Sequence, residues 1–151
     1  MLALPDPDTV EDFLDNAIGV LHTFGITAVV LDHTPRIATT GPIDLRVIGV
    51  VIHVRGDIAG VTWQFPIAVT RQAASVFAPD LELDPGILEA AASELANVLT
   101  GRGLIALESH GLEIEISPPQ ITPTTRAGVT GRLTTELGAI VVVFHRRTSG
   151  R

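Results

Sequence analysis

The stretch RVIGVVIHVRGDIAGVTWQF, residues 46–65, restricts the fold more than any other part of the chain. It is rich in β-branched residues on both sides of Gly56 and Asp57, and a tight hairpin turn needs residues that tolerate positive φ angles. The pattern predicts two strands joined at Gly56-Asp57. Three other segments, ITAVVLD (26–32), GLEIEIS (111–117) and AIVVVF (139–144), also have the composition of strands. We therefore expect a largely antiparallel sheet.

The segment DTVEDFLDNAIGVLHTFG, residues 8–25, carries a helical pattern instead. Its apolar residues recur at the spacing of one helix face, from Val10 to Leu21. Asp8 with Glu11 can form a capping box at the start, and Gly25 can end the helix. An amphipathic helix is predicted here.

Two more helices are predicted between the hairpin and the last strands. Pro66 is expected to open a short one that runs to about Phe77, and Asp84 with Pro85 to cap a longer one that runs to about residue 107. The order helix, strands, two helices, strands predicts an α+β layered fold, with three helices packed on a largely antiparallel sheet. With 151 residues, the chain is expected to form a single domain, 1–151.

Composition excludes several classes of function. There is no cysteine, so disulfides and thiolate sites are excluded, and there is no lysine to form a Schiff base. The net charge of −7 argues against binding to nucleic acid phosphates. No apolar run approaches the length of a membrane span, and acids stand near the first residue where a signal peptide would carry bases. We expect a cytoplasmic protein that binds neither membrane nor nucleic acid.

The long helix has two different sides. Its predicted core side is Leu88, Ala92, Leu95, Leu99 and Ala106. Roughly opposite lies an outer stripe, Ala90, Glu94, Asn97 and Gly101. Polar pairs three residues apart are common on solvated helices, so Glu94 and Asn97 can be ordinary surface residues. They can also be presented to a partner. Gly101 calls for a packing or a functional reason, because a glycine inside a helix costs about 1 kcal/mol relative to alanine.

The surroundings of the pair favour presentation to a partner. Glu94, Asn97 and Gly101 form the motif E-x-x-N-x-x-x-G, which follows GDIAG and AVTRQAASVFAP and precedes GLEIEISPPQIT. This order resembles the CheC, CheX and FliY family of chemotaxis phosphatases over about residues 13–144. The single copy of the motif, with one leading helix, is most similar to the CheX branch. The resemblance implies a phosphatase that removes phosphate from the aspartyl phosphate of a CheY-like receiver domain.

The resemblance also implies a role for each residue of the motif pair. Asn97 would position the attacking water, since an amide can bind both water and phosphoryl oxygens without adding negative charge. Glu94 would anchor the receiver by pairing with a lysine of its active site. The phosphatase would need no cofactor of its own, because Mg²⁺ is supplied by the receiver. A homodimer joined through sheet edges or packed sheets is also implied, and AIVVVF is strongly β-forming.

The chain departs from the family pattern in three places. Ala90 stands where the motif often has Asp or Ser, and Gln120, preceded by two prolines, stands where a proline is expected. The third departure is at FHRRTSGR, residues 144–151, where the resemblance implies a turn and one more strand and this sequence stops. These departures favour a rival hypothesis, a non-catalytic receiver-binding or flagellar-switch-like scaffold of the same fold. An unrelated α+β subunit with a merely solvated helix is a third.

Other candidate residues have weaker patterns. The histidines lack the close spacing of a metal motif: His22, His33, His53, His110 and His145. Ser93 and Ser109 lack the context of a nucleophile elbow. Trp63 is expected in the core. Glu113 and Glu115 alternate with apolar residues and are expected on the solvent face of a strand.

Overall fold

The computed structural model describes residues 7–30, 36–38, 41–43, 46–56, 60–109 and 114–145. Three helices occur in this part of the chain: α1 (Pro7–Thr23), α2 (Ile67–Phe77) and α3 (Pro85–Ser109). The strands are β1 (Ala28–Val30), β2 (Arg36–Ala38), β3 (Gly41–Pro42), β4 (Val47–Gly56), β5 (Gly60–Pro66), β6 (Ile114–Ile116), β7 (Gln120–Ile121), β8 (Thr124–Thr125), β9 (Gly128–Thr135) and β10 (Gly138–His145). The predicted α+β fold, three helices on a largely antiparallel sheet, is confirmed.

The main sheet has the strand order β1-β9-β10-β5-β4-β6, and every pairing in it is antiparallel. One edge is shared by β1 and β2, which both pair with β9. The other edge is shared by β6 and β7, which both pair with β4. Strands β3 and β8 form a separate two-stranded sheet. The AIVVVF segment thus lies in the middle of the sheet, within β10.

The predicted hairpin is present as β4 and β5, with Val50 opposite Trp63 and Ile52 opposite Val61. The turn residue Asp57 lies outside the described residues. On the far side of β5, β10 places Val142 opposite Trp63. β5 is therefore the strand that links the hairpin to the C-terminal part of the sheet.

One long strand, β9, was not predicted from the sequence. It contains Gly128 and Gly131, and glycine lowers strand propensity. A Cβ at Gly131 would lie 3.0 Å from Leu14 and 3.3 Å from Val10, so the missing side chain lets α1 pack directly on this strand. The glycine that weakened the strand pattern is thus one that gives α1 room for a close contact with the strand.

Helix α1 ends as predicted and begins differently. Gly25 has φ 77°, its N–H bonds the carbonyl of His22 at 3.0 Å, and the N–H of Ile26 bonds the carbonyl of Leu21 at 3.0 Å. This is a Schellman motif, which satisfies the last carbonyls of the helix. Because α1 already begins at Pro7, Asp8 lies in the first turn. The predicted capping box with Asp8 at the cap position is therefore wrong.

The core lies between the three helices and one face of the sheet. Aromatic rings fill its centre: Phe13 of α1 stacks on Trp63 at a centroid distance of 5.7 Å and meets Phe144 edge-on at 5.0 Å. Trp63 also stacks on Phe65 at 5.8 Å. All four side chains are fully buried. α3 packs against both α1 and α2 as well as against β4 and β5. Its position is therefore fixed by contacts with the other two helices and with the sheet.

Candidate functional site

Helix α3 carries the candidate site and is anchored at its start by a cap. The Oδ1 atom of Asp84 accepts a hydrogen bond from the N–H of Ile87 at 2.8 Å, and Pro85 is the first helical residue. Asp84 thus satisfies an N–H that the helix itself leaves unpaired. The predicted start is confirmed, and the helix ends two residues beyond the predicted end.

The predicted core side of α3 is buried. Leu95, Leu99 and Ala92 have no exposed surface, and Leu88 is 8% exposed. Near these residues, the hydroxyl of the buried Thr100 accepts a hydrogen bond from the indole N–H of Trp63 at 2.9 Å. The side chain of Ala106 lies outside the described part. The apolar residues and the indole bond together fix the rotation of α3 about its axis.

The outer stripe faces away from the core. Ala90, Glu94 and Gly101 are exposed, and Asn97 is half-buried. Among the described residues, no hydrogen bond or ion pair engages the side chain of Glu94 or Asn97. No buried side-chain nitrogen or oxygen in that part of the chain lacks a partner, so the unbonded amide of Asn97 must reach solvent. The predicted outward position is confirmed for Glu94, whereas Asn97 is half-buried and thus less exposed than predicted.

The geometry of the pair suits contact with another molecule. Side chains three residues apart lie on neighbouring turns with Cβ atoms about 5–6 Å apart. Asn97 is half-buried, whereas Glu94 is exposed and can reach outward. A carboxylate and an amide so placed can bind a cation and a water molecule respectively. Charge also differs along the helix, since Asp84 and Glu89 are exposed before the pair and Arg102 after it.

One surface residue next to the stripe was not predicted from the sequence. Ile105 is 59% exposed and lies one turn beyond Gly101 on the same side of α3. Its exposure leaves an apolar side chain in contact with solvent beside the outer stripe. The available signal was its spacing, because Ile105 is four residues from Gly101 and eight from Asn97.

His145 shows what an internal polar residue looks like in this fold. Its side chain is 2% exposed, and its Nε2 atom lies 2.5 Å from the hydroxyl of the buried Thr62. Burial lowers the pKa of His145 from 6.5 to about 4, with smaller contributions from Arg126 and His53. This histidine is therefore neutral near pH 7 and is held in a structural contact.

The remaining candidates have ordinary positions. His22 and His53 are exposed, whereas His33 and His110 lie outside the described residues. Trp63 is in the core and Glu115 is exposed, as predicted; Glu113 lies outside the described part, as does the side chain of Ser109. Ser93 is half-buried. Within the described ranges, no three His, Asp or Glu residues come together as a metal site would require. No helix there is long and apolar enough to cross a membrane.

No protein-family model matches the sequence, and no curated protein matches it either. Solved structures do match. A CheX chemotaxis protein of Desulfovibrio desulfuricans is 16% identical, with a TM-score of 0.67 over 91% of this chain and 97% of that one. The CheX–CheY–BeF3–Mg²⁺ complex of Borrelia burgdorferi contains a chain that is 17% identical, with a TM-score of 0.64 over 93% of this chain and 100% of that one.

A FliM domain also has a similar structure. The FliM middle domain of H. pylori is 6% identical, with a TM-score of 0.61 over 91% of this chain and 92% of that one. At these identities the matches establish architecture, and most of both chains is covered in each case. The chain therefore has the fold of the CheX and CheC-like chemotaxis proteins.

Proposed function

We propose that this protein is a phosphatase for the aspartyl phosphate of a CheY-like receiver domain, with Asn97 and Glu94 as its catalytic residues. The observation that carries the proposal is the position of this pair. Both side chains project from the outer side of a helix whose other side is fixed by Leu95, Leu99 and the Trp63 hydrogen bond. Neither is used by the described part of the fold.

Asn97 has the chemistry to position the attacking water. Its carbonyl oxygen can accept a hydrogen bond from the water while its N–H group donates to a phosphoryl oxygen. The water oxygen then bonds to phosphorus as the bond from phosphorus to the aspartyl oxygen breaks, which gives inorganic phosphate and a free carboxylate. A carboxylate in place of Asn97 would be repelled by the anionic phosphoryl oxygens. Its half-buried position supports this role, because a restrained amide loses less freedom in the transition state.

Glu94 has the chemistry of an anchor. It is exposed, unpaired within the described residues and one turn from Asn97. A charge-assisted contact with a lysine of the receiver would fix the depth to which Asn97 enters the receiver's site. Mg²⁺ would come with the receiver, whose phosphoryl group it binds. The Borrelia burgdorferi CheX structure, solved with CheY, BeF3 and Mg²⁺, supports a receiver as the partner class.

The proposal includes a homodimer, as the resemblance implies. Because β10 is paired on both sides, by β9 and β5, it cannot supply a free sheet edge. Association would therefore use the β1/β2 edge, the β6/β7 edge or packing of whole sheets. Light scattering at tens of micromolar should give twice the 15.9 kDa chain mass. A monomer mass would remove the dimer without affecting the outer stripe.

A receiver-binding scaffold is the second candidate function. The structural likeness to the FliM middle domain favours it, as does Ala90, which leaves the position one turn before Glu94 without a polar group. A scaffold would use the same outer surface and would leave the receiver's phosphate in place. The two functions therefore predict the same partner and differ only in the chemistry.

A time course of receiver phosphate distinguishes the two functions. CheY-like receivers from the same genome are phosphorylated, and the decay of acid-labile phosphate is followed with and without this protein. A phosphatase shortens the lifetime catalytically at substoichiometric amounts. Binding of a phosphorylated receiver without faster decay would support the scaffold. No binding and no faster decay with any receiver would remove both candidates.

A further inference from the structure

Two residues of α3 outside the catalytic pair share its side of the helix. Gly101 lies one turn after Asn97, and Ile105 lies one turn after Gly101. Ile105 is 59% exposed, the largest exposure among the large apolar side chains described. An isoleucine this exposed, in line with a proposed catalytic pair, needs a reason other than core packing.

Gly101 has no packing reason inside the chain. A Cβ placed on it meets no heavy atom within 4 Å, so alanine would fit without any shift. Alanine would also favour the helix, because glycine is among the weakest helix formers. Glycine here thus weakens α3 without helping the described fold. What it does provide is a low point in the helix surface between Asn97 and Ile105.

A receiver bound at Glu94 and Asn97 should cover more of α3 than these two side chains. A stable interface covers about 800 Å² on each partner, which is far more than two side chains offer. Eight residues of helix between Asn97 and Ile105 span about 12 Å, which is less than the width of a receiver-sized domain. A receiver that engages Glu94 and Asn97 should therefore reach Gly101 and Ile105 as well.

We propose that Gly101 and Ile105 form the apolar docking position of the receiver, where an apolar side chain of the partner enters over Gly101 and packs against Ile105. This inference rests on the proposed function and adds its specificity element. Glu94 and Asn97 meet the polar groups of the phosphorylated site. Gly101 and Ile105 select for a receiver whose adjacent surface is apolar and closely fitting.

Gly19 provides a matched control for Gly101. It also lies inside a helix and is exposed, and a Cβ added to it would meet no atom within 4 Å. We therefore expect Gly19→Ala and Gly101→Ala to raise the midpoint of thermal unfolding by a similar amount, about 2 °C each. A larger side chain is tested with Gly19→Gln and Gly101→Gln, and both of these variants should also fold. The two positions should therefore differ only in how their substitution affects receiver binding.

The experiment measures binding of the receiver loaded with BeF3 and Mg²⁺, and the kinetics of phosphate release, for both glycine series. Gly101→Ala should weaken binding several-fold and Gly101→Gln by about tenfold or more, whereas both Gly19 variants match wild type. The loss should appear as a raised KM with kcat nearly unchanged, since neither residue touches the reacting atoms. Wild-type affinity in both Gly101 variants would overturn the inference while leaving the proposed function intact.

Ile105→Ala gives an independent arm, with Val29→Ala as its control. Val29 is 57% exposed, close to the exposure of Ile105, and lies on the edge strand β1 instead of α3. The Ile105 variant should bind the receiver about fivefold or more weakly, and the Val29 variant should bind like wild type. Equal binding by both variants would contradict the docking position. If wild type neither binds nor dephosphorylates any receiver, the proposed function fails, and this inference fails with it.

Discussion

Gly101 and Gly103 are two residues apart on the same helix and have opposite surroundings. A Cβ on Gly101 would meet nothing within 4 Å, whereas one on Gly103 would overlap the ring of Phe13. Any displacement of Phe13 would disturb the core, because its ring is fully buried and packs against Trp63 and Phe144. The fold therefore requires glycine at position 103 and does not require it at position 101.

This contrast holds for the two sides of α3 as a whole. On the inner side each residue type follows from packing, because Leu95, Leu99 and Gly103 fit a fixed and crowded space. On the outer side the residue types have no internal explanation, since nothing in the described chain contacts the side chains of Glu94 or Asn97 through a hydrogen bond. Unexplained residues on a rigid element are where a partner is most reasonably sought.

The largest expected effect tests the inner side. Leu95→Ala should lower the free energy of unfolding by about 3 kcal/mol, since it leaves a cavity where the fully buried leucine side chain was. Its neighbour provides the control, because Glu94→Ala removes an exposed side chain and should cost less than about 0.5 kcal/mol. Urea unfolding followed by circular dichroism measures both. Similar losses in the two variants would abolish the distinction between the two sides.

The next effect tests the outer side through activity. Asn97→Ala should slow receiver dephosphorylation by about 10²-fold or more and leave receiver binding nearly unchanged, because only the water loses its positioning group. The stability of the variant should match wild type. Phosphate decay and a binding titration with the same receiver provide the two measurements.

Glu94→Lys is the contrasting variant on the same stripe. It should weaken receiver binding by about 2 kcal/mol or more, since it replaces an attractive contact with a repulsive one. Unchanged binding in this variant would remove the anchoring role of Glu94. Unchanged decay rates in both this variant and Asn97→Ala would favour the scaffold.

A smaller effect sharpens the contrast between the two glycines. Gly103→Ala should lower the free energy of unfolding by about 2 kcal/mol, because the added methyl group must displace the Phe13 ring within a packed aromatic cluster. This loss would occur despite the higher helix propensity of alanine. Thermal unfolding of the Gly103→Ala and Gly101→Ala variants tests this contrast. A stabilised Gly103 variant would show that the cluster can rearrange.

The α+β architecture was predictable from the sequence because its elements carry strong local patterns. The helical spacing of α1, the proline and aspartate before α3, and the β-branched hairpin each indicate one structure. β9 was missed because Gly128, Gly131 and alternating polar residues weaken its pattern. Its place in the sheet depends on pairing with β10 and on contact with α1, and neither is a local property.

For the site, the sequence alone determined which residues share the outer side of α3, because a helix turns by a fixed angle at each residue. It also determined that Glu94 and Asn97 are side by side on that surface. The tertiary structure decided the rest: that Asn97 is partly covered, and that Gly103 rather than Gly101 is needed for packing. The packing of α3 depends on which distant residues, Phe13 of α1 and Trp63 of β5, come to lie against the helix, and helical spacing carries no information about them.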